Sequence, residues 1–196
     1  MPSYNARHET RENRQRFPGP RDLPADWTQW VEFRTMRGSI PLTRTRYDMQ
    51  QTLILLKPDA VQRHLIGSIL QRFELKGLRL VALKLVQADR GLAERHYAVH
   101  KGKPFYESLL SFLTSGPTVA MVWEGREAVA VCRNLMGPTD GAKAGPGTIR
   151  GDYAISVQNN LIHGSDSPEN AISEIELWFE TRDLVTYVAA DASWIG

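Results

Sequence analysis

The sequence predicts one mixed α/β domain that follows an irregular N-terminal segment, and a split βαβ arrangement is its simplest topology. Two continuous apolar runs, residues 53–56 and 118–123, have the composition of buried strands. Around them, segments with helical apolar spacing alternate with strand-like segments. The chain has 196 residues and is 42% hydrophobic, which is enough to bury one sizeable core.

Local signals place each element along the chain. The predicted strands are residues 53–56, 78–86, 118–123 and 155–162, and the predicted helices are residues 66–73, 92–100, 105–113, 127–135 and 168–179. Gly77 is a candidate C-cap for the first helix, and glycine–proline pairs at Gly116 and Gly137 end the third and fourth. Ser167 fits an N-cap, with Pro168 at the first helical position. Glycines and prolines predict a loop over residues 137–147.

A change in composition near residue 49 divides the chain into residues 1–48 and a domain over residues 49–196. Residues 1–50 contain nine Arg, no Lys and six acidic residues, so they contribute a formal charge of +3 and the remainder carries −1. Residues 1–48 show no sustained period and are predicted to be irregular, with one short amphipathic turn near Trp27 as the alternative. A nearly neutral domain is not typical of a dedicated nucleic-acid-binding protein.

Composition also argues against a membrane or secreted protein. No stretch approaches the roughly 18 consecutive apolar residues of a membrane helix. The first residues contain no apolar run for a signal peptide, and Glu9 and Glu12 argue against an organelle transit peptide. Cys132 is the only cysteine, so no intrachain disulfide is expected. We therefore expect a cytoplasmic protein in which Cys132 is a core residue.

The segment from Asn160 to Asp166 is the strongest candidate for chemistry. His163 lies where an apolar strand is predicted to end, just before a helix N-terminus, and such positions favour anion binding. An ordinary imidazole, with a pKa of about 6.5, is a competent nucleophile near neutral pH. Glu174 can orient the ring. From this segment alone, a structural histidine at a strand end remains the alternative.

Three further segments contain groups suited to a nucleotide. Lys57, after the first strand, can act as a point charge on phosphate. Arg133, Thr139 and Arg150 surround glycine-rich sequence and can cradle a di- or triphosphate, although no Walker A motif is present. An exposed aromatic residue in Lys103-Pro104-Phe105-Tyr106, which opens a helix, can stack on a base. Each is weak alone, because a lone Lys or Arg is usually solvated and a helical Phe is usually core.

Together these segments are specific. They are LLKPDAVQR at 55–63, HY at 96–97, KPFY at 103–106, SGPTVAMVWEG at 115–125, PGTIRGD at 146–152 and NNLIHGSDS at 159–167. In this order they resemble the nucleoside diphosphate kinase family across roughly residues 50–195. The resemblance implies a ferredoxin-like α/β sandwich with a four-stranded antiparallel sheet. It also implies a phosphotransferase that moves the γ-phosphate of a nucleoside triphosphate to a nucleoside diphosphate in a ping-pong cycle.

The resemblance implies a role for each matching residue. His163 would be the phosphorylated nucleophile, Glu174 and Ser165 would hold and polarise the site, and Tyr97 would lie close to the imidazole. The implied contacts to phosphates and sugar are Lys57, Arg133, Thr139, Arg150 and Asn160, and those to the base are Phe105, by stacking, with Leu109 and Val157. Mg²⁺ would be held by the nucleotide phosphates rather than by a protein cage. Broad base and sugar tolerance is expected.

The resemblance further implies a homo-oligomer, either a tetramer or a hexamer. Residues 140–145 contain no proline where many family members have one, and the terminal residues 193–196 are closer to those of hexameric members. Family members begin near Met49, so we hypothesise that Met49 is the natural start; an intact mass beginning at Met1 would contradict this. A nucleic-acid-binding role and an inactive scaffold are the alternative functions, and the complete set of expected site residues counts against the scaffold.

Overall fold

The sheet is four-stranded and antiparallel, in the order β2-β3-β1-β4. The computed structural model describes residues 49–195, and the interpretations of residues 1–48 lie outside them. The strands are β1 (Met49–Leu56), β2 (Arg79–Gln87), β3 (Pro117–Arg126) and β4 (Ile162–Gly164). The α-helices are α1 (Pro58–Gln62), α2 (Ile66–Leu75), α3 (Arg90–His96), α4 (Tyr106–Thr114), α5 (Ala128–Met136), α6 (Ile149–Tyr153), α7 (Pro168–Trp178) and α8 (Ala192–Ile195). The prediction of a mixed fold with a four-stranded antiparallel sheet is confirmed.

Helices cover both faces of this sheet, which explains the continuous apolar run in β1. Side chains alternate between the faces of a strand. Leu53 and Leu55 lie in a core with α3, α4 and α7, whereas Ile54 and Leu56 lie in a second core with α2 and α5. All four side chains are fully buried. Cys132 lies in the second core, so its prediction as a core residue is confirmed.

The pairing of β1 with β4 brings the two chemical segments together. Leu55 lies opposite His163 in this antiparallel register. Just beyond the pair, the Lys57 amide donates to the Leu161 carbonyl at 2.8 Å, and the Ser165 amide donates to the Leu53 carbonyl at 3.2 Å. The end of the central strand therefore lies beside the histidine segment. No helix in the described part of the chain is long and apolar enough to cross a membrane.

Two predicted helix ends are confirmed. The Ser167 hydroxyl accepts a hydrogen bond from the Asn170 amide at 3.1 Å, and Pro168 occupies the first position of α7. Gly77 follows α2 with a φ of +88°, a conformation that disfavours other residues. A Cβ added to Gly77 would also lie 2.7 Å from the Ile195 side chain. The backbone conformation therefore favours glycine there, and a larger residue would also have to displace the Ile195 side chain.

Two glycines of this region should respond oppositely to alanine. Gly77→Ala is expected to lower the free energy of unfolding by about 1–2 kcal/mol, because alanine is strained at positive φ. Gly67→Ala, inside α2 where an added Cβ meets nothing within 4 Å, is the matched control and should raise it by up to about 1 kcal/mol. Urea unfolding measures both. A Gly77→Ala variant as stable as the wild type would contradict the assignment.

The predicted strand over residues 155–162 is wrong. β4 spans Ile162–Gly164, so His163 lies inside a short strand rather than at the end of a long one. Ile155 and Val157 looked like a buried face, but they are 85% and 57% exposed. The Asn160 amide group donates to the Thr139 carbonyl at 2.9 Å and the Val157 carbonyl at 2.7 Å, which folds this segment into a loop.

Three short helices, α1, α6 and α8, were not predicted, and the first two lie in sequence that was interpreted as loop. α1 begins at Pro58, directly after Lys57, where proline is favoured at the first helical position. α6 lies in the glycine-rich segment after residue 147. The Thr148 hydroxyl caps it by accepting from the Gly151 amide at 3.0 Å. This helix, rather than an open glycine loop, presents Arg150.

Candidate active site

A cavity of about 410 Å³ lies beside β4, between α3, α5, α6 and α7. Eight of the residues predicted from sequence line it, namely Lys57, Tyr97, Arg133, Thr139, Arg150, Asn160, His163 and Glu174. They come from parts of the chain more than 100 residues apart. The fold thus assembles most of the predicted site in one place.

His163 is held at one edge of its ring by a carboxylate. Nε2 of His163 lies 3.1 Å from both Glu174 oxygens, and the Ser165 hydroxyl donates to the same carboxylate at 2.6 Å. Burial raises the pKa of Glu174, but the hydrogen bonds from His163 and Ser165 and the charge of His163 outweigh it, so the pKa lies below its usual value. The carboxylate is therefore charged at neutral pH. It accepts a hydrogen bond from Nε2–H and leaves the Nδ1 lone pair of the neutral ring available.

Ser165 acts behind the cavity rather than in its wall. It is fully buried, and its oxygen also accepts a hydrogen bond from the Leu53 amide at 3.3 Å. The hydroxyl thus joins the central strand β1 to the Glu174 carboxylate. The Glu174 carboxylate that orients His163 is thus held both by helix α7 and, through Ser165, by the backbone of β1.

Among the described residues, four cations line the cavity; three of them, Lys57, Arg133 and Arg150, were predicted from the sequence, and the fourth is Arg95. Within residues 49–195, Lys57, Arg133 and Arg150 form no ion pair within 4.0 Å. Arg150 instead donates to the carbonyls of Gly137 at 2.8 Å and Ile162 at 2.6 Å, and a third bond goes to the Asn160 carbonyl at 3.3 Å. Carbonyl partners orient these side chains without neutralising their charge. Such a cavity is suited to a polyanion.

Burial changes the acidity of two of these cations. Desolvation lowers the pKa of Lys57 to about 8, with Asp59 opposing the shift and Arg150 adding to it. Desolvation and the charge of Arg133 lower the pKa of Arg150 to about 10. Both groups are still charged at pH 7, at an energetic cost that a bound anion would relieve.

Asn160 connects the lysine to the rest of the cavity wall. Its side-chain oxygen accepts a hydrogen bond from Lys57, while its amide group donates to the Thr139 and Val157 carbonyls. The Asp59 carboxylate accepts from the Leu161 amide at 3.0 Å and fixes the next residue of the same loop. Asn160 is buried, at 4% exposure, and its hydrogen bond holds the Lys57 side chain in position.

The chain matches known proteins over the same residues that build this site. Residues 50–184 match the family model described as nucleoside diphosphate kinase. The chain belongs to the nucleoside diphosphate kinase family. The predicted family and enzyme class are thereby confirmed.

Individual relatives show how close this match is. A nucleoside diphosphate kinase of Thermomicrobium roseum is 58% identical over 147 residues, which cover 75% of this chain and 99% of the relative. That of Carboxydothermus hydrogenoformans is 57% identical with the same coverage. A halophilic nucleoside diphosphate kinase from Halobacterium salinarum, solved in complex with CDP, is 48% identical. It has a TM-score of 0.73, covering 75% of this chain and 98% of the other.

The residues predicted to contact the base lie outside the cavity wall. Phe105 is half exposed, and its ring lies 5.6 Å from that of His100 in an edge-on arrangement. Leu109 packs against the core, and Val157 is exposed. A hydrogen bond of 2.8 Å from Gln158 to the Ser108 hydroxyl ties the Val157 loop to α4. The predicted base contacts remain a proposal.

His96 lines the cavity but was not among the site residues predicted from the sequence. It is buried at the end of α3, and its ring stands edge-on to His163 with 4.5 Å between centroids. The Tyr97 ring packs on the His96 ring, with 4.7 Å between centroids, and Tyr97 lines the same cavity as His163. Burial raises the pKa of Tyr97 to about 12, and the hydroxyl keeps its proton. The His–Tyr pair in the sequence was the available signal for His96.

The lowered pKa of Lys57 predicts an alkaline limit on activity. Below about pH 8 Lys57 is charged and attracts phosphate, and above it the charge is lost, so kcat/KM for a nucleoside triphosphate should fall from pH 8 to 9.5. Lys57→Arg, which keeps its charge over this range, should be less active overall but show no such decline. A flat wild-type profile, or the same decline in both proteins, would contradict this role.

Proposed function

We propose that this chain transfers the γ-phosphate of a nucleoside triphosphate to a nucleoside diphosphate through a phosphorylated His163. The observation that supports this most directly is the Nε2 contact of His163 with Glu174 at 3.1 Å, in a cavity whose cations include Lys57, Arg133 and Arg150, none of which has a carboxylate partner among the described residues. A held imidazole with a free lone pair is a nucleophile, and the cations attract the phosphates that it attacks.

The two half-reactions use the same atoms in opposite directions. The His163 Nδ1 lone pair attacks the γ-phosphorus, a nitrogen–phosphorus bond forms, and the bond from phosphorus to the bridging oxygen breaks. The nucleoside diphosphate leaves with that electron pair. A second nucleoside diphosphate then attacks the same phosphorus with a terminal phosphate oxygen; an oxygen–phosphorus bond forms, the nitrogen–phosphorus bond breaks, and its electron pair returns to Nδ1 of the neutral ring. Throughout, Nε2 keeps its proton, and the Glu174 carboxylate stabilises the positive charge that develops on the ring.

The remaining lining residues bind and orient the nucleotide. Lys57, Arg133 and Arg150 are assigned to the phosphates, because they supply the positive charge of the cavity. Thr139 and Asn160 are assigned to the phosphates and sugar. Phe105 is assigned to stacking on the base, with Leu109 and Val157 beside it. Every base has a π-face, so this contact is compatible with broad base tolerance.

We assign Mg²⁺ to the nucleotide phosphates rather than to protein ligands. The cavity wall contains two carboxylates, Glu174 and Asp166. Glu174 is bonded to His163 and Ser165, and Asp166 accepts a hydrogen bond of 2.6 Å from Asn170. Each carboxylate already accepts a hydrogen bond, while phosphate oxygens are good Mg²⁺ ligands. When bound, the ion neutralises charge on the oxygens of the departing diphosphate.

We also propose a cytoplasmic homo-oligomer, a hexamer or a tetramer. Strand β2 lies at the edge of the sheet, and its Leu83 and Leu85 side chains are 49% and 63% exposed. An exposed apolar edge strand is a natural contact between copies of a chain. The cytoplasmic assignment is supported by Cys132, a buried free thiol.

Initial-rate kinetics test the proposed function. Because the phosphoryl group stays on His163 between two half-reactions, double-reciprocal plots with a varied triphosphate at several fixed diphosphate concentrations should be parallel lines. The γ-phosphoryl group should also exchange between a nucleoside triphosphate and its own diphosphate when no second nucleotide is present. Intersecting lines would indicate direct transfer in a ternary complex and would contradict a phosphorylated histidine.

A further inference from the structure

His96 has a fixed tautomer, because the one hydrogen-bond partner of its ring among residues 49–195 is an indole. The Trp178 Nε1–H group lies 3.3 Å from Nδ1 of His96. An indole nitrogen can donate a hydrogen bond but cannot accept one. Nδ1 of His96 must therefore supply the lone pair. In the neutral ring the hydrogen is consequently on Nε2.

That Nε2–H group has nothing to donate to in the described structure. It is sealed from solvent and has no hydrogen-bond partner among residues 49–195. Buried donors are nearly always paired, so an unpaired one indicates that an acceptor binds there in another state of the protein. The His96 ring lines the cavity and stands edge-on to His163, at 82° and 4.5 Å between centroids.

A metal ion is a poor candidate for the missing partner. Ligand atoms of His96, His163 and Glu174 lie within 4.8 Å of one another, a spacing that a metal could bridge. Coordination requires a ring nitrogen with a free lone pair. In His96 one nitrogen accepts from Trp178 and the other bears the hydrogen. The geometry therefore presents a donor to this space, not a ligand.

We propose that Nε2–H of His96 donates a hydrogen bond to an oxygen of the phosphoryl group on His163, which makes His96 a further catalytic residue. This inference rests on the proposed function. Among the described residues, His96 is the one imidazole that packs on His163, and a phosphoryl group on His163 would bring three acceptor oxygens to this side of the cavity. Because Nε2 of His96 is sealed in the resting structure, the two rings must move slightly apart for the hydrogen bond to form. The hydrogen bond stabilises the phosphorylated state selectively, because the acceptor exists only there.

Helix α7 positions both imidazoles at once. Glu174 and Trp178 are four residues apart and thus lie on the same face of α7. Glu174 contacts His163, and Trp178 contacts His96. Burial, with the charge of His163 next, also lowers the pKa of His96 to about 3, so the ring stays a neutral donor at physiological pH.

Histidine-selective ¹⁵N NMR tests the donor directly on the wild-type chain. In the resting enzyme, Nε2 of His96 should be protonated and Nδ1 should not, with the signals assigned by their loss in His96→Gln. Addition of ATP and Mg²⁺ should move the Nε2–H proton downfield, and a nucleoside diphosphate should reverse the shift. A hydrogen on Nδ1, or an unchanged signal in fully phosphorylated enzyme, would overturn the inference.

A matched pair of variants tests the energetic consequence. The amide of His96→Gln can accept from Trp178 and donate towards His163, whereas His96→Leu can do neither. The equilibrium constant for phosphoenzyme formation from ATP should fall roughly tenfold to a hundredfold in His96→Leu, with most of it restored in His96→Gln. Equal constants in folded wild type and His96→Leu would overturn the inference. Absence of phosphorylation in the wild type would overturn the proposed function and this inference with it.

Discussion

Replacing His163 with alanine should abolish phosphoryl transfer and leave the fold intact. The ring supplies the only lone pair assigned to attack the γ-phosphorus, so the rate should fall roughly 10⁴-fold or more. The side chain is 26% exposed and its polar contact is with Glu174, which keeps its hydrogen bond from Ser165. Activity should be measured with ATP and a second diphosphate, and the fold by circular dichroism and thermal unfolding.

The control for this variant is another histidine of the same chain. His64 is exposed, lies outside the cavity and has a φ of +58°, which asparagine tolerates. His64→Asn should therefore transfer phosphate at the wild-type rate. Transfer retained by His163→Ala would remove the nucleophile assignment, whatever the control shows.

Arg150→Ala should impair both catalysis and stability, because the guanidinium has two kinds of partner. Loss of a charge-assisted phosphate contact, worth roughly 1.5–3 kcal/mol, should lower kcat/KM by roughly ten- to a hundredfold. The variant also leaves the carbonyls of Gly137, Asn160 and Ile162 without this donor. The free energy of unfolding should fall by about 2–4 kcal/mol. Steady-state kinetics and urea unfolding measure the two effects.

Two neighbouring variants separate these effects. Arg133 donates one hydrogen bond, to the Gly164 carbonyl at 3.3 Å, so Arg133→Ala should lower kcat/KM with little change in stability. Arg150→Lys keeps the charge but not the planar set of donors, so it should recover more binding than stability. If Arg150→Ala has wild-type kinetics in folded protein, Arg150 does not contact the phosphates.

The elements that sequence predicted well are those with a local physical signal. The apolar run of β1 predicts burial on both faces, Ser167 predicts the start of α7, and Gly77 predicts the end of α2. The strand predicted over residues 155–162 failed because alternation of Ile155 and Val157 is also local, while the true conformation is set by distant partners. Asn160 bonds to Lys57 and Thr139, which are 103 and 21 residues away.

The same distinction between local and distant signals applies to the site. Residue identities around His163 could be nominated from the sequence, since their types and order match a family with known chemistry. Their contacts could not be predicted. The Trp178–His96 bond joins residues 82 positions apart, and Lys57 reaches Asn160 only because β1 pairs with β4. His96 was missed because its role depends on two contacts that are distant in sequence, the hydrogen bond from Trp178 and the packing against His163.

The central claim is that His163 becomes phosphorylated, and one labelling experiment tests it most directly. The purified chain is incubated with γ-labelled ATP and Mg²⁺ without an acceptor, and the protein is then separated on a gel. We predict a label that is labile to acid, stable to alkali, discharged by GDP and absent from His163→Ala. Folded wild-type protein that takes up no label would contradict the claim and favour an inactive scaffold or a nucleic-acid-binding role.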